Sequence, residues 1–132
     1  MNYLDPELEI SDINKLSILA LAHVGDSVFE LMVRTRLCTA EHSSALDLHR
    51  SAIAVVNAVS QSAYAEILVP LLNEDELAVY KRGRNAKVNS VPKNAAVADY
   101  HKATGLEALF GWLYLNGRKT RLEELFSKLN IA

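Results

Sequence analysis

Apolar positions along this chain recur at the spacing of a helix. No stretch alternates apolar and polar residues between turn pairs, so no strand is predicted. A first long helix is expected from about Ile13 to Leu37, capped by Asp12, with apolar positions dense enough to bury most of its sides. A second is expected from Ala45 to Leu68. Leu48, Ala52, Val55, Val59 and Ala63 form its stripe, His49, Arg50, Asn57 and Gln61 fall elsewhere, and Pro70 breaks it. Asn73 is placed to cap a short helix opening Glu74-Asp75-Glu76, acids that the helix dipole favours, and Gly83 to end or kink it. Residues 84–93 read as a loop. Asn94 then caps a helix from about Ala95 to Leu115 that Asn116-Gly117 ends, and a last amphipathic helix runs from about Thr120 to Leu129. The pattern predicts one all-α domain of five or six helices.

Composition narrows the class. The 132 residues are half hydrophobic and 23% charged, which suits one domain with a packed core. Fourteen Lys and Arg oppose sixteen Asp and Glu, and the net charge of −2 argues, as a sum, against a generic polyanion binder. The single cysteine, Cys38, excludes an internal disulfide and a cysteine-based zinc site and suits a reducing compartment. The N-terminus lacks the basic-then-apolar order of a signal peptide. The most apolar stretch, Leu16 to Val33, is interrupted by His23, Asp26 and Glu30, so no membrane partner is expected and the cytoplasm is the default.

Two acids stand where a core is expected. Asp26 lies in LALAHVGDSVFELMV, where a structural helix would take Leu or Ala. A buried carboxylate costs several kcal/mol without a cation, metal or hydrogen bonds. Gly25 beside it is a poor helix former and suggests that something approaches the backbone closely. His23 and Glu30 share the face of Asp26. Glu107 repeats the theme in TGLEALFGWLYL, with Gly105 and Gly111 nearby. Two such helices converging would offer oxygen ligands to a hard cation such as Mg²⁺. The plainer alternatives are a buried Asp bonded to a helix end or an Arg, Glu30 paired with Arg34 on the surface, His23 at a helix contact, and Phe110, Trp112 and Tyr114 as core.

The charge is also segregated. No acid occurs between Glu76 and Asp99, an interval holding Lys81, Arg82, Arg84, Lys87 and Lys93 with Asn85, Asn89, Ser90 and Asn94 interleaved. A basic segment rich in amides suits phosphates and sugar hydroxyls. His49 and Arg50 would extend that surface. The alternative is a solvated loop with surplus bases.

Together these residues resemble the ribonuclease III family. HVGDSVFE resembles its signature helix and LEALFGWLYL its second acidic helix. The likeness is closest to the short bacterial branch, Mini-ribonuclease III, and extends through DLHRSA, KRGRNAK and PKN. The resemblance implies an all-α catalytic domain of five to seven helices over residues 1–132, homodimeric, without an appended double-stranded-RNA-binding domain. It implies a Mg²⁺-dependent endoribonuclease on double-stranded RNA that matures both ends of the 23S ribosomal RNA precursor in pre-ribosomes, with a ribosomal-protein helper as a further partner. Asp26 and Glu107 match the catalytic, metal-binding acids, and residues 82–94 match the RNA-binding loop. Arg82, Arg84, Asn85, Lys87, Lys93 and Asn94, with His49 and Arg50, are the expected RNA contacts, and Glu30 is a candidate supplementary acid. The larger enzymes carry further acids where this chain has Leu19, Ala22 and Thr104. That reduced set favours a rival, a non-catalytic RNA-binding or ribosome-assembly module on the same fold. A third reading is a helical protein-interaction domain whose buried acids are structural.

Overall fold

Helix α6, Val97–Leu115, forms the axis around which the other helices are laid. From Ala103 to Leu113 every residue of it is buried except Glu107. Such a helix must be covered on all sides. Helices α2 (Ile18–Glu41), α4 (Ala58–Leu68) and α5 (Glu74–Arg84) cover it. A computed structural model describes residues 1–41, 44–87, 90–91 and 96–131. In these, α1 (Ile10–Ile13), α3 (Ala45–Val55), a 3₁₀ turn (Val69–Leu71) and α7 (Lys119–Ser127) complete the set, and no strand occurs. Phe29 of α2 is fully buried where the elements meet. Its ring lies 5.5 Å from Phe110, 6.1 Å from Tyr64 and 6.2 Å from Phe126, so one side chain joins α2, α4, α6 and α7. Among the described residues no single helix is long and apolar enough to cross a membrane.

Most expected elements are present, and the differences lie at caps. Asp12 does not open α2. It sits within α1 and pairs with Lys15 at 3.3 Å, while the Ala20 amide donates to Ser17 Oγ at 3.1 Å where α2 begins. The expected helix 45–68 is two helices bent by 60°. Asn57 makes the break by serving both ends. Its Nδ2 donates to the carbonyls of Ile53 and Ala54 at 3.1 and 2.9 Å, and its Oδ1 accepts from the Ser60 amide at 2.9 Å. The bend turns the expected stripe outward beyond the break. Val59 and Ala63 are exposed, while Gln61 and Ser62 are buried. Gly83 neither ends nor kinks α5 but lies within it, pressed against α6. A Cβ there would come within 2.8 Å of Ala108 Cβ and 2.9 Å of Gly105 Cα. Helix α6 starts at Val97, with Ala96 as its cap residue, and the cap expected at Asn94 lies outside the described residues. Asn116-Gly117 ends α6 as expected, with Gly117 at a φ of 71° that glycine adopts without strain.

One buried charge was not anticipated. Asn73 and Glu76 form a capping box at the start of α5, with the Glu76 amide donating to Asn73 Oδ1 at 2.9 Å and the Asn73 amide to Glu76 Oε1 at 3.0 Å. Yet Glu76 is only 1% exposed. Arg121 of α7 grips it with Nε and Nη2, each at 2.8 Å, and Nη2 also donates to the Leu71 carbonyl at 2.8 Å. The pair ties α5, α7 and the 3₁₀ turn together. Burial pushes the Glu76 carboxyl upward, but the hydrogen bonds from Arg121 and from the Asn73 amide outweigh it and hold the group below its usual range.

Arg121→Ala is therefore expected to cost about 3 kcal/mol at neutral pH, because it leaves a buried carboxylate unpaired. A depressed folded-state pKa gives stability that is present above the unfolded carboxyl value and lost as pH falls through the folded one. Urea melts of wild type and Glu76→Gln should thus diverge at pH 7 and converge in acid. A difference independent of pH would contradict the assignment.

Candidate active site

The site begins with a backbone contact. On α2, Leu21 and Gly25 share a face, and on α6, Glu107 and Gly111 share one. The two faces meet. A Cβ on Gly25 would fall on the Glu107 carbonyl, 2.6 Å from its carbon and 2.7 Å from the Gly111 nitrogen. A Cβ on Gly111 would overlap the Leu21 carbonyl, 2.9 Å from its carbon and 3.0 Å from the Gly25 nitrogen. The close approach suggested by Gly25 in the sequence is a helix crossing, and the segment opposite is the second acidic helix.

Asp26 and Glu107 are brought together at this crossing. Asp26 is exposed, not sunk in the core as its apolar sequence context suggests. The reason is angular. Gly25 takes the position facing α6, and the next residue is turned about 100° away, onto the rim. Glu107 is half-buried in the wall and hydrogen-bonded to Asp26. Burial first, then the hydrogen bond and charge of Asp26, push the Glu107 carboxyl up to about 9. At neutral pH this carboxyl keeps a proton that any dication binding there would displace.

The remaining candidates fall as follows. Glu30, one turn after Asp26, accepts from Arg34 Nη2 at 2.8 Å. His23 is exposed one turn before Asp26. Thr104 is buried and turns its hydroxyl back to the Tyr100 carbonyl at 2.9 Å, Ala22 is buried, and Leu19 is exposed. Among the described residues no group of three or more His, Cys, Asp or Glu is placed to hold a metal. Phe110 and Trp112 are core, and Tyr114 is half-buried with its hydroxyl on the Tyr3 carbonyl.

The basic residues are more helical than expected. Lys81, Arg82 and Arg84 form the last turn of α5, where cations favour the helix dipole, so the expected loop at 84–93 begins one residue later and the 82–94 segment opens on a helix. Arg82, Asn85 and Lys87 are exposed. Arg84 is half-buried, its guanidinium 5.8 Å from the centre of the Tyr80 ring and its Nε bonded to Asn85 Oδ1 at 3.2 Å. His49 and Arg50 are exposed on α3, which packs chiefly on α2. Lys93 and Asn94 lie outside the described residues.

Residues 19–118 match the Ribonuclease III domain. The chain belongs to the ribonuclease III family. It is 39% identical over 124 residues to the Mini-ribonuclease 3 of Clostridium tetani, covering 93% of this chain and 82% of the relative. It is 46% identical over 107 residues to that of Symbiobacterium thermophilum, covering 81% and 82%. A crystallised protein of Fusobacterium nucleatum has the same fold, with a TM-score of 0.80 at 30% identity over 88% of this chain and 89% of that one. This ribonuclease III domain is an endoribonuclease, which removes the reading as a non-catalytic module.

The raised Glu107 pKa carries a stability consequence. A carboxyl protonated in the fold but ionised in the unfolded chain makes stability fall as pH rises between the two values. In the presence of a chelator, Glu107→Gln should gain thermal stability over wild type progressively from about pH 5 to pH 9. A constant difference across that range would show that Glu107 is not held protonated.

Proposed function

We propose that this endoribonuclease cuts double-stranded RNA with a Mg²⁺ ion held by Asp26 and Glu107. The supporting observation is the meeting of these two carboxyls across the α2–α6 crossing, one exposed and one half-buried. Their chemistry fits a hard dication, which takes oxygen ligands, keeps several waters and relieves the repulsion between adjacent carboxylates. Bound there, Mg²⁺ supplies Lewis-acid activation of water and offsets charge on the phosphoryl group.

The protein's own residues do the rest. Asp26, on the rim, is the acid that an RNA phosphate reaches first. Glu107 is fixed from behind by the buried faces of α6. Arg82, Arg84 and Lys87 place the duplex by its phosphates, with Asn85 offering an amide to sugar or phosphate, and Lys93 and Asn94 continue the same basic segment in the sequence. His49 and Arg50 extend the surface onto α3. Glu30 stays with Arg34 and outside the site. A two-fold dimer would set two equivalent sites against the two strands of a duplex. The substrate in this reading is the precursor of 23S ribosomal RNA, matured at both ends in the cytoplasm, with a ribosomal protein as helper.

Two outcomes follow. Asp26→Asn and Glu107→Gln should each lower duplex cleavage on the order of 100-fold in gel assays with Mg²⁺, while circular dichroism and duplex binding stay unchanged. Normal cutting by either folded variant would reject the assignment. Replacing Arg82 and Arg84 together by Ala should weaken binding and flatten the slope of log K against log salt by about 0.9 for each phosphate no longer neutralised. An unchanged slope would remove α5 from the RNA surface.

A further inference from the structure

We infer that Gly111, which bears no chemical group, is a positioning residue that sets the span between the Asp26 and Glu107 carboxyls. The inference rests on the metal-binding reading above and deepens it.

The geometry is specific to this glycine pair. At the α2–α6 crossing the obstacles to a side chain are backbone atoms, the carbonyls of Leu21 and Glu107 and the nitrogens of Gly25 and Gly111. Backbone cannot rotate aside as the end of a side chain can. Any Cβ at position 111 must push α2 away from α6. The contact also falls on the acids themselves. The atom that Gly25 faces is the carbonyl of Glu107, and Asp26 is the next residue after Gly25. The two carboxyls therefore ride on a pair of segments packed backbone against backbone. Their separation is the helix separation plus two short side chains. Interaxial distance follows the size of the residues at the contact. Mg²⁺ needs oxygens at about 2.0–2.1 Å in near-octahedral array, so about an ångström of added span is poorly absorbed.

Gly83 supplies a matched contrast. It too is pressed between helices, against Ala108 Cβ and the backbone of Gly105 and Thr104, but the helices it holds apart are α5 and α6, and α5 carries neither Asp26 nor Glu107. A Cβ at either glycine disturbs packing. Only the one at 111 widens the gap between the two acids.

The span can be lengthened from either side, which makes the idea testable on the full chain. Mn²⁺ is the probe, titrated without RNA and followed by electron paramagnetic resonance. Gly111→Ala should weaken Mn²⁺ binding about tenfold or more. Gly83→Ala should lower the melting temperature yet bind Mn²⁺ as wild type does. Asp26→Glu, one methylene longer, should weaken binding by itself because it overfills the narrow span. In the Gly111→Ala background the same change should recover part of the affinity, since the longer arm meets the wider gap. Wild-type Mn²⁺ binding by a folded Gly111→Ala protein, or effects that simply multiply in the double variant, would overturn the proposal. If Gly111→Ala does not fold, Asp26→Glu alone decides. Asp26 is exposed, so the longer side chain displaces no packed neighbour; a tenfold weakening supports a fixed span and unchanged binding overturns it. Binding that survives Asp26→Asn would reject the carboxylate reading itself, which that arm distinguishes from a failure of the positioning role.

Discussion

The contact between the backbones of α2 and α6 is the constraint on which the remaining structure depends. Two helices ordinarily keep 8–10 Å between axes because side chains stand between them. Gly25 and Gly111 remove those side chains at one point, and the helices close onto each other's peptide groups. The closure costs helix propensity at two positions, of order 1 kcal/mol each, and buried contact along α2 and α6 offsets it. It brings the exposed rim of α2 and the buried wall of α6 within hydrogen-bonding reach, so that Asp26 and Glu107 meet. With side chains in place of the glycines the two helices would stand further apart, and the two carboxyls with them.

The fold treats Glu76 and Glu107 in opposite ways. Glu76 is buried with a cation and three hydrogen bonds converging on it, and stays ionised. Glu107 is half-buried beside a second carboxyl and is held protonated. The first is a satisfied structural pair that fastens α5 to α7. The second has no cation beside it among the described residues, and the proton it keeps relieves the repulsion from Asp26.

Much of this was legible in one dimension. Acids inside apolar helical stretches flagged Asp26 and Glu107, a glycine beside Asp26 flagged a close approach, and Asn73 was legible as the cap of α5. Other features were misread because one residue type serves several roles. Asn57 reads as a polar-face residue but caps two helix ends, so the expected stripe through Val59 and Ala63 points to solvent. Gly83 reads as a stop or kink but is a packing residue, which leaves Arg84 on the helix instead of in a loop. Glu76 reads as a first-turn surface acid, and nothing near it in the chain announces Arg121, forty-five residues on.

The sequence by itself determined the helical class, the order of the helices and the identity of the acids, because apolar period and cap chemistry are local properties. It also determined the segregation of bases from acids that the net charge of −2 conceals. The tertiary structure alone decided which acid is exposed, which is held protonated and which is neutralised. Those outcomes depend on what stands across the gap: a peptide carbonyl opposite Gly25, a carboxyl opposite Glu107, a guanidinium opposite Glu76. Distance and desolvation, which no local pattern carries, set the charge state of each.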